Sequence, residues 1–85
     1  MSYFVYILEC SDKTLYTGIA TDVQRRLDEH NSSDKGAKYT KIRRPLRLLY
    51  SEESENRSSA SKREYEIKKL SREKKLELIK GNLNA

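Results

Sequence analysis

The sequence has no tryptophan, one cysteine, one proline and no long apolar run. A single cysteine excludes an internal disulfide, and a reducing compartment is the simplest setting for it. We expect Cys10, at the end of an apolar stretch, to be a buried thiol. No segment approaches the length of a membrane span, and the N-terminus lacks the basic start of a secretory signal. These absences predict a cytoplasmic protein without a membrane partner.

Apolar residues are also scarce, because they make up 35% of the chain while charged residues make up 36%. Eighty-five residues of this composition can build only one small core, so we expect a single domain over residues 1–85. The formal net charge of +5 favours an anionic partner, although thirteen acidic residues dilute that signal.

The N-terminal half has the pattern of a hairpin followed by a helix. Residues 3–10, YFVYILEC, predict a strand, and LYTG after the turn-like SDKT predicts a second. Thr21 then has the position of an N-cap, with Gln24 completing a capping box. This helix should run to about Asn31.

The C-terminal half predicts one strand and two helices. LRLLYSEE, behind Pro45, has the pattern of a third strand. A helix should begin near Ser58 or Ser59 and run to about Leu70, and another should start at Ser71 and end at Gly81. The order β-β-α-β-α-α predicts an α+β fold with a small antiparallel three-stranded sheet flanked by helices.

A basic segment, KGAKYTKIRRPLR, joins the two halves and contains no acidic residue. Gly36 and Pro45 argue against a continuous helix there. Clustered basic side chains with an aromatic ring suit phosphate contacts and base stacking. The candidate nucleic-acid contacts are Lys35, Lys38, Tyr39, Lys41, Arg43 and Arg44. The alternative is a solvated surface loop.

Two short stretches, VYI at Val5–Ile7 and YTG at Tyr16–Gly18, resemble the two halves of the GIY-YIG nuclease signature. Val5 stands where the consensus has glycine, and Thr17 where it has isoleucine. The resemblance continues with an arginine ten residues after the second tyrosine, a histidine one turn later, and a glutamate in an Ala-x-x-x-Glu-x-x-Ile pattern. Those positions are Arg26, His30, Ala60, Glu64 and Ile67. EHN, GAKYT and EIKKLSR are also similar to the small stand-alone members of this superfamily.

The resemblance implies an endonuclease that hydrolyses DNA phosphodiester bonds with low sequence specificity, in repair or recombination. It implies catalytic roles for Tyr6, Tyr16, Arg26, His30 and Glu64, with Glu64 as the ligand of Mg²⁺ or Mn²⁺. Gly18 would serve an unusual turn or a close backbone approach. A tyrosine acting as base would need its pKa lowered by Arg26, Lys13 or the metal, because a free tyrosine has a pKa near 10.

Each of these residues also has a purely structural interpretation. Arg26 and His30, four residues apart, share one helix face, and His30 could instead be a half-buried side chain beside Leu27. Glu64, at the border of an apolar stripe, could form an ion pair with Arg63 or Arg26. Both tyrosines could simply pack within the sheet.

The alternative function is a module that binds nucleic acid or docks on a partner, with weak or no catalysis. Because the chain contains no second recognition domain, specificity would come from the basic segment, a homodimer or a protein partner.

Overall fold

The structure, a computed structural model, describes residues 2–32 and 35–83. Three strands form one antiparallel sheet in the order β2-β1-β3. The elements are β1 (Tyr3–Glu9), β2 (Leu15–Ala20), α1 (Val23–Ser32), α2 (Lys38–Lys41), β3 (Arg47–Ser54), α3 (Arg57–Lys68) and α4 (Arg72–Leu83). The predicted α+β class and element order are confirmed, with one short additional helix, α2.

Both faces of the central strand β1 are covered, which explains why its apolar residues do not alternate with polar ones. Val5 and Ile7 face α3 and α4, where they pack with Ala60, Ile67 and Ile79. The opposite face is the side of α1, and there the alternate β1 residues pack with side chains of α1. They are Tyr6, Leu8 and Cys10, packed with Val23 and Leu27. Cys10 is buried, as expected.

The helix ends differ from the prediction in three places. Asp22, not Thr21, caps α1, because its Oδ1 accepts the Arg25 amide at 3.0 Å. Asn56 caps α3 in the same way by accepting the Ser59 amide at 2.9 Å. The predicted stop at Gly81 is wrong: α4 continues to Leu83, and no described glycine adopts the positive φ of a helix-ending glycine.

None of the helices in the described ranges has the length and apolar character needed to cross a membrane.

Candidate active site

Gly18 makes room for Tyr6 between the two strands of the hairpin. The two residues are directly paired, Tyr6 on β1 and Gly18 on β2. A Cβ atom on Gly18 would lie 2.5 Å from the Tyr6 hydroxyl oxygen and 2.6 Å from its Cζ atom. Gly18 lies inside a strand without a positive φ, so the predicted turn is wrong. The glycine instead permits close approach of a side chain.

We expect Gly18→Ala to destabilise the fold by about 1–3 kcal/mol, because the buried Tyr6 ring cannot swing away without disturbing its hydrogen bond. Gly81→Ala is the matched control, since nothing lies within 4 Å of the Cβ it would add. That change should be neutral or stabilising by up to about 1 kcal/mol. Urea unfolding of both variants measures the difference, and equal stabilities would contradict the packing role of Gly18.

Tyr6 and His30 belong to a buried chain of hydrogen bonds. His30 Nε2 lies 3.0 Å from the Tyr6 hydroxyl, and Nδ1 lies 2.8 Å from Thr40 Oγ1. Thr40 Oγ1 donates to the Ala37 carbonyl at 2.8 Å and therefore accepts from Nδ1–H. The Ala37 amide, 3.4 Å from Nδ1, is the longer contact. The short bonds make Nε2 the acceptor of the Tyr6 proton.

Burial decides the protonation of both groups. It lowers the pKa of His30 to about 4, helped by the nearby Arg26 charge, so the imidazole is neutral at pH 7. Burial, followed by repulsion from Tyr16, raises the pKa of Tyr6 to about 12 against the opposing effect of Arg26. Arg26 does lower the pKa of Tyr6, as expected of a tyrosine beside it, but burial outweighs this effect and the net shift is upward. His30 is fully buried, not half-buried as the structural alternative assumed.

The low pKa of His30 predicts acid-sensitive stability. The unfolded state, in which histidine titrates near 6.5, binds the proton more readily than the folded state, where the pKa is about 4. Stability should therefore fall as the pH drops from about 6.5 towards 4, by about 2 kcal/mol between pH 7 and pH 5. Urea unfolding at both pH values tests this in the parent and in His30→Gln. The variant should lose most of this dependence, and an unchanged slope would contradict the assignment.

Arg26 lies on α1 beside this chain. Its Nη1 donates to the Lys35 carbonyl at 2.7 Å and to Glu29 Oε1 at 3.1 Å, which fixes the half-buried guanidinium. Arg25 is 73% exposed and forms a longer ion pair with Glu29, at 3.6 Å. An open groove of about 290 Å³ runs along this side of the molecule and is lined by Arg25, Arg26, Glu29 and residues 19–22. The guanidinium therefore borders an open groove, which the carboxylates of Asp22 and Glu29 also line.

Tyr16 is the more accessible of the two motif tyrosines. It is half-buried, whereas Tyr6 is 1% exposed. Its ring lies edge-on to His30, with centroids 5.1 Å apart, and stacks on Tyr39 at 6.0 Å. It also lines a cleft that is open to solvent. Of the two hydroxyl groups, only that of Tyr16 lies on a side chain that an incoming substrate can reach.

Glu64 lies on α3, whose buried side chains pack on the other face of the sheet. Its carboxylate is nevertheless close enough to raise the pKa of Tyr6. The ion pair it forms is with Lys68, at 3.5 Å. The expected alternative partners are engaged elsewhere, Arg63 by Glu52 at 2.9 Å and Arg26 by Glu29.

A hard divalent cation fits this donor set. Within residues 2–32 and 35–83, no three His, Cys, Asp or Glu side chains are grouped to hold a metal. Mg²⁺ and Mn²⁺ nevertheless bind through one or two carboxylates and keep several water ligands. The Lys68 ammonium beside Glu64 shows that the position already accommodates positive charge.

The basic segment contains exposed side chains and side chains that contact the rest of the protein. Lys35, Lys38, Tyr39 and Lys41 are exposed, whereas Arg43 and Arg44 are half-buried. Arg43 Nε donates to Asp12 at 3.1 Å, and its guanidinium carbon lies 3.8 Å from the centre of the Tyr39 ring. Arg44 Nε donates to the His30 carbonyl at 2.6 Å. The arginines thus support the segment, and a base stacking on Tyr39 would compete with Arg43.

Two residues of the site were missed from the sequence. Thr40, fully buried on α2, orients His30. Lys68 neutralises Glu64. The four-residue spacing from Glu64 to Lys68 on a helix is a signal that could have revealed the second.

Comparison with known proteins agrees with this arrangement. A UPF0213 protein of Staphylococcus aureus strain N315 is 60% identical over 79 residues, covering 93% of this chain and 95% of that protein. A UPF0213 protein of Desulfotalea psychrophila is 57% identical over 81 residues, covering 95% of this chain and 74% of that one.

Two solution NMR structures are also similar. The E. faecalis protein EF2693 has a TM-score of 0.68 and 41% identity, over 100% of this chain and 90% of that one. A UPF0213 protein of Bacillus halodurans has a TM-score of 0.60 and 49% identity, over 94% of this chain and 84% of that one. The GIY-YIG catalytic domain matches residues 2–77. With its motif tyrosines, arginine and histidine gathered on one face of the sheet, the chain belongs to the GIY-YIG nuclease family.

Proposed function

We propose that this protein is a metal-dependent endonuclease that hydrolyses DNA phosphodiester bonds with low sequence specificity. The observation that carries the proposal is the convergence of Tyr6, Tyr16, Arg26 and His30 on one face of the sheet, with Glu64 close enough to act on Tyr6 electrostatically. Residues from β1, β2 and α1 meet on that face, and Glu64 of α3 acts on them from the opposite side of the sheet, a combination expected of a reaction centre.

Tyr16 is the better candidate for the base that takes a proton from the attacking water. The base must reach the water, and Tyr16 is half-exposed beside a cleft, whereas Tyr6 is buried with a pKa of about 12. Tyr16 first gives its own hydroxyl proton to solvent. The water oxygen then forms a bond to phosphorus as its proton moves to Tyr16. The bond from phosphorus to the leaving oxygen breaks, and that oxygen takes a proton from solvent.

The chain of Tyr6, His30 and Thr40 has a positioning role. Both ring nitrogens of His30 are hydrogen-bonded, so the imidazole ring that packs against Tyr16 is held in place. Because His30 is fixed before substrate binds, it can keep the Tyr16 hydroxyl aligned without a further loss of conformational entropy during the reaction.

Arg26 directly, and Glu64 through a bound metal ion, would stabilise the negative charge of the phosphate. Arg26 can donate two parallel hydrogen bonds to phosphate oxygens and offset the negative charge that grows in the transition state. Glu64 would hold Mg²⁺ or Mn²⁺, which when bound supplies charge stabilisation to the phosphate and the leaving oxygen.

Four exposed residues of the basic segment, Lys35, Lys38, Tyr39 and Lys41, are proposed to contact the nucleic acid. One of them, Tyr39, stacks on Tyr16, which places this part of the segment beside the proposed base. A role in repair or recombination, a cytoplasmic location, a single domain over residues 1–85 and a partner or homodimer stay predictions.

Nicking of supercoiled, single-stranded and branched DNA tests the proposal, with each substrate incubated in Mg²⁺, in Mn²⁺ and in EDTA. We expect cleavage in either metal and none in EDTA. Binding without cleavage in either metal would favour the second candidate, a nucleic-acid-binding module. The exposed lysines of the basic segment are the observation that keeps this candidate open.

A further inference from the structure

A cleft of about 270 Å³ is lined in part by Tyr16 and shares no lining residue with the Arg26 groove. Its lining includes residues of β2, which is an edge strand of the sheet formed by the described residues. Its lining comes from β2, the basic segment, α3 and α4: Leu15, Tyr16, Thr17, Tyr39, Lys68 and Lys75. Two tyrosine rings and two ammonium groups therefore surround a space directly beside the proposed base.

Lys75 brings charge to this cleft that the protein does not neutralise. The side chain is half-buried on α4, and among the described residues no carboxylate lies within 4 Å of its ammonium group. An anion in the cleft would supply the counter-ion that the described residues do not.

Lys68 connects the cleft to the catalytic carboxylate. Its ammonium lies 3.5 Å from Glu64 Oε2, while the side chain, 54% exposed, also lines the cleft. An exposed ion pair of this kind is weak, so an anion in the cleft can compete with Glu64 for Lys68. Release of Lys68 would leave the Glu64 carboxylate available for a divalent cation.

Thr17 is a further polar group in the lining. Its buried hydroxyl is the side-chain atom that lacks a hydrogen-bond partner within the part of the chain the structure describes. Because less than 1 Å² of this oxygen is accessible, the groups that can contact an occupant of the cleft are the ammonium groups of Lys68 and Lys75.

We propose that this cleft binds a backbone phosphate of the nucleic acid, next to the phosphate that is cut, through Lys68 and Lys75. The inference rests on the proposed function, because it assigns a second contact to the same substrate. A polynucleotide is favoured over a free anion because the cleft shares Tyr16 with the reaction centre and Tyr39 with the basic segment. One strand can therefore pass from the lysines of α2 across β2 to α3 and α4.

Binding is measured in EDTA, where no cleavage occurs, by fluorescence anisotropy of a labelled single-stranded oligonucleotide over a range of salt concentrations. We expect Lys68→Gln and Lys75→Gln each to weaken binding about threefold to tenfold at low salt. Each should also reduce the slope of log K against log salt by about 0.7, the loss of one phosphate contact. Lys62→Gln and Lys80→Gln are matched controls, because both residues are exposed on α3 and α4 and neither lines the cleft. They should leave the slope unchanged.

The Glu64 link is tested by a double-mutant cycle in the same assay. Glu64→Gln frees Lys68 and should tighten binding about twofold to fivefold, and this gain should disappear in Glu64→Gln/Lys68→Gln. Glu66→Gln, which removes an equal charge from an exposed position on the same helix, should give a smaller gain that Lys68→Gln does not alter.

The outcomes separate the two proposals. If both cleft variants match their controls while the parent binds, the phosphate subsite is overturned and the proposed function stands. An equal gain from Glu64→Gln with and without Lys68 would overturn the link to Glu64. If the parent does not bind the oligonucleotide at any salt concentration, the nucleic-acid substrate itself is contradicted, and the subsite with it.

Discussion

Tyr16→Phe is expected to slow DNA cleavage about 10²- to 10⁴-fold while leaving the fold and DNA binding intact. Loss of a general base costs a factor of this size. The half-buried hydroxyl of Tyr16 makes no hydrogen bond to another described residue, so its removal should leave the free energy of unfolding nearly unchanged. Single-turnover cleavage and urea unfolding of the same preparation measure the two effects.

Tyr6→Phe is the matched comparison, and it should reduce stability more and the cleavage rate less than Tyr16→Phe does. It removes the 3.0 Å hydrogen bond to His30 from a fully buried site and leaves an imidazole nitrogen without a partner. That should cost about 1–3 kcal/mol of stability. Cleavage should fall less than in Tyr16→Phe, because Tyr6 acts through His30. If Tyr6→Phe is the less active of the two while still folded, the assignment of the base to Tyr16 is wrong.

The overall fold could be predicted from the sequence because its signals are local. The apolar run of β1, the turn after it and the spacing of Val23 and Leu27 on α1 each lie within a few residues. The family resemblance then identified the residues that converge. Arg26 and His30 do share one helix face, as their spacing predicted.

The functions of Gly18 and His30 depended on contacts that a local pattern cannot show. A glycine before a helix is typical of a turn, and this favoured the wrong interpretation of Gly18. The ring that needs the space at Gly18 belongs to Tyr6, on a different strand, so a local pattern does not reveal the contact. His30 is buried because Thr40, ten residues later, reaches its Nδ1. The same holds for Arg43, whose partner Asp12 lies 31 positions away in the hairpin turn.

Helix ends were mispredicted because the free-energy differences that decide where a helix begins or ends are small. Thr21 and Asp22 are both good capping residues, and the choice between them changes stability by a few tenths of a kcal/mol. Gly81 costs a helix about 1 kcal/mol, which the continuation of α4 to Leu83 tolerates.

The metal-binding role proposed for Glu64 can be tested by a change of charge alone. Glu64 is the one candidate metal ligand of the motif set, its side chain is 23% exposed, and it influences Tyr6. Glu64→Gln keeps the size of the side chain but removes the negative charge that a divalent cation requires. We therefore expect cleavage in Mg²⁺ or Mn²⁺ to fall about 10²- to 10³-fold or more.

Glu66→Gln supplies the control for this change. Glu66 lies two residues further along α3, is 53% exposed, and makes a 3.7 Å ion pair with Arg63. The substitution removes the same charge from the same helix outside the site, so cleavage should stay within about twofold of the parent. Identical purification of all three proteins excludes a contaminating nuclease.

The most direct measurement is therefore the rate of metal-dependent nicking by the parent, Glu64→Gln and Glu66→Gln, run in parallel at saturating Mn²⁺. We predict nicking by the parent and Glu66→Gln and none above background by Glu64→Gln. Equal rates for all three proteins, or no nicking by any of them, would contradict metal-dependent hydrolysis at this site.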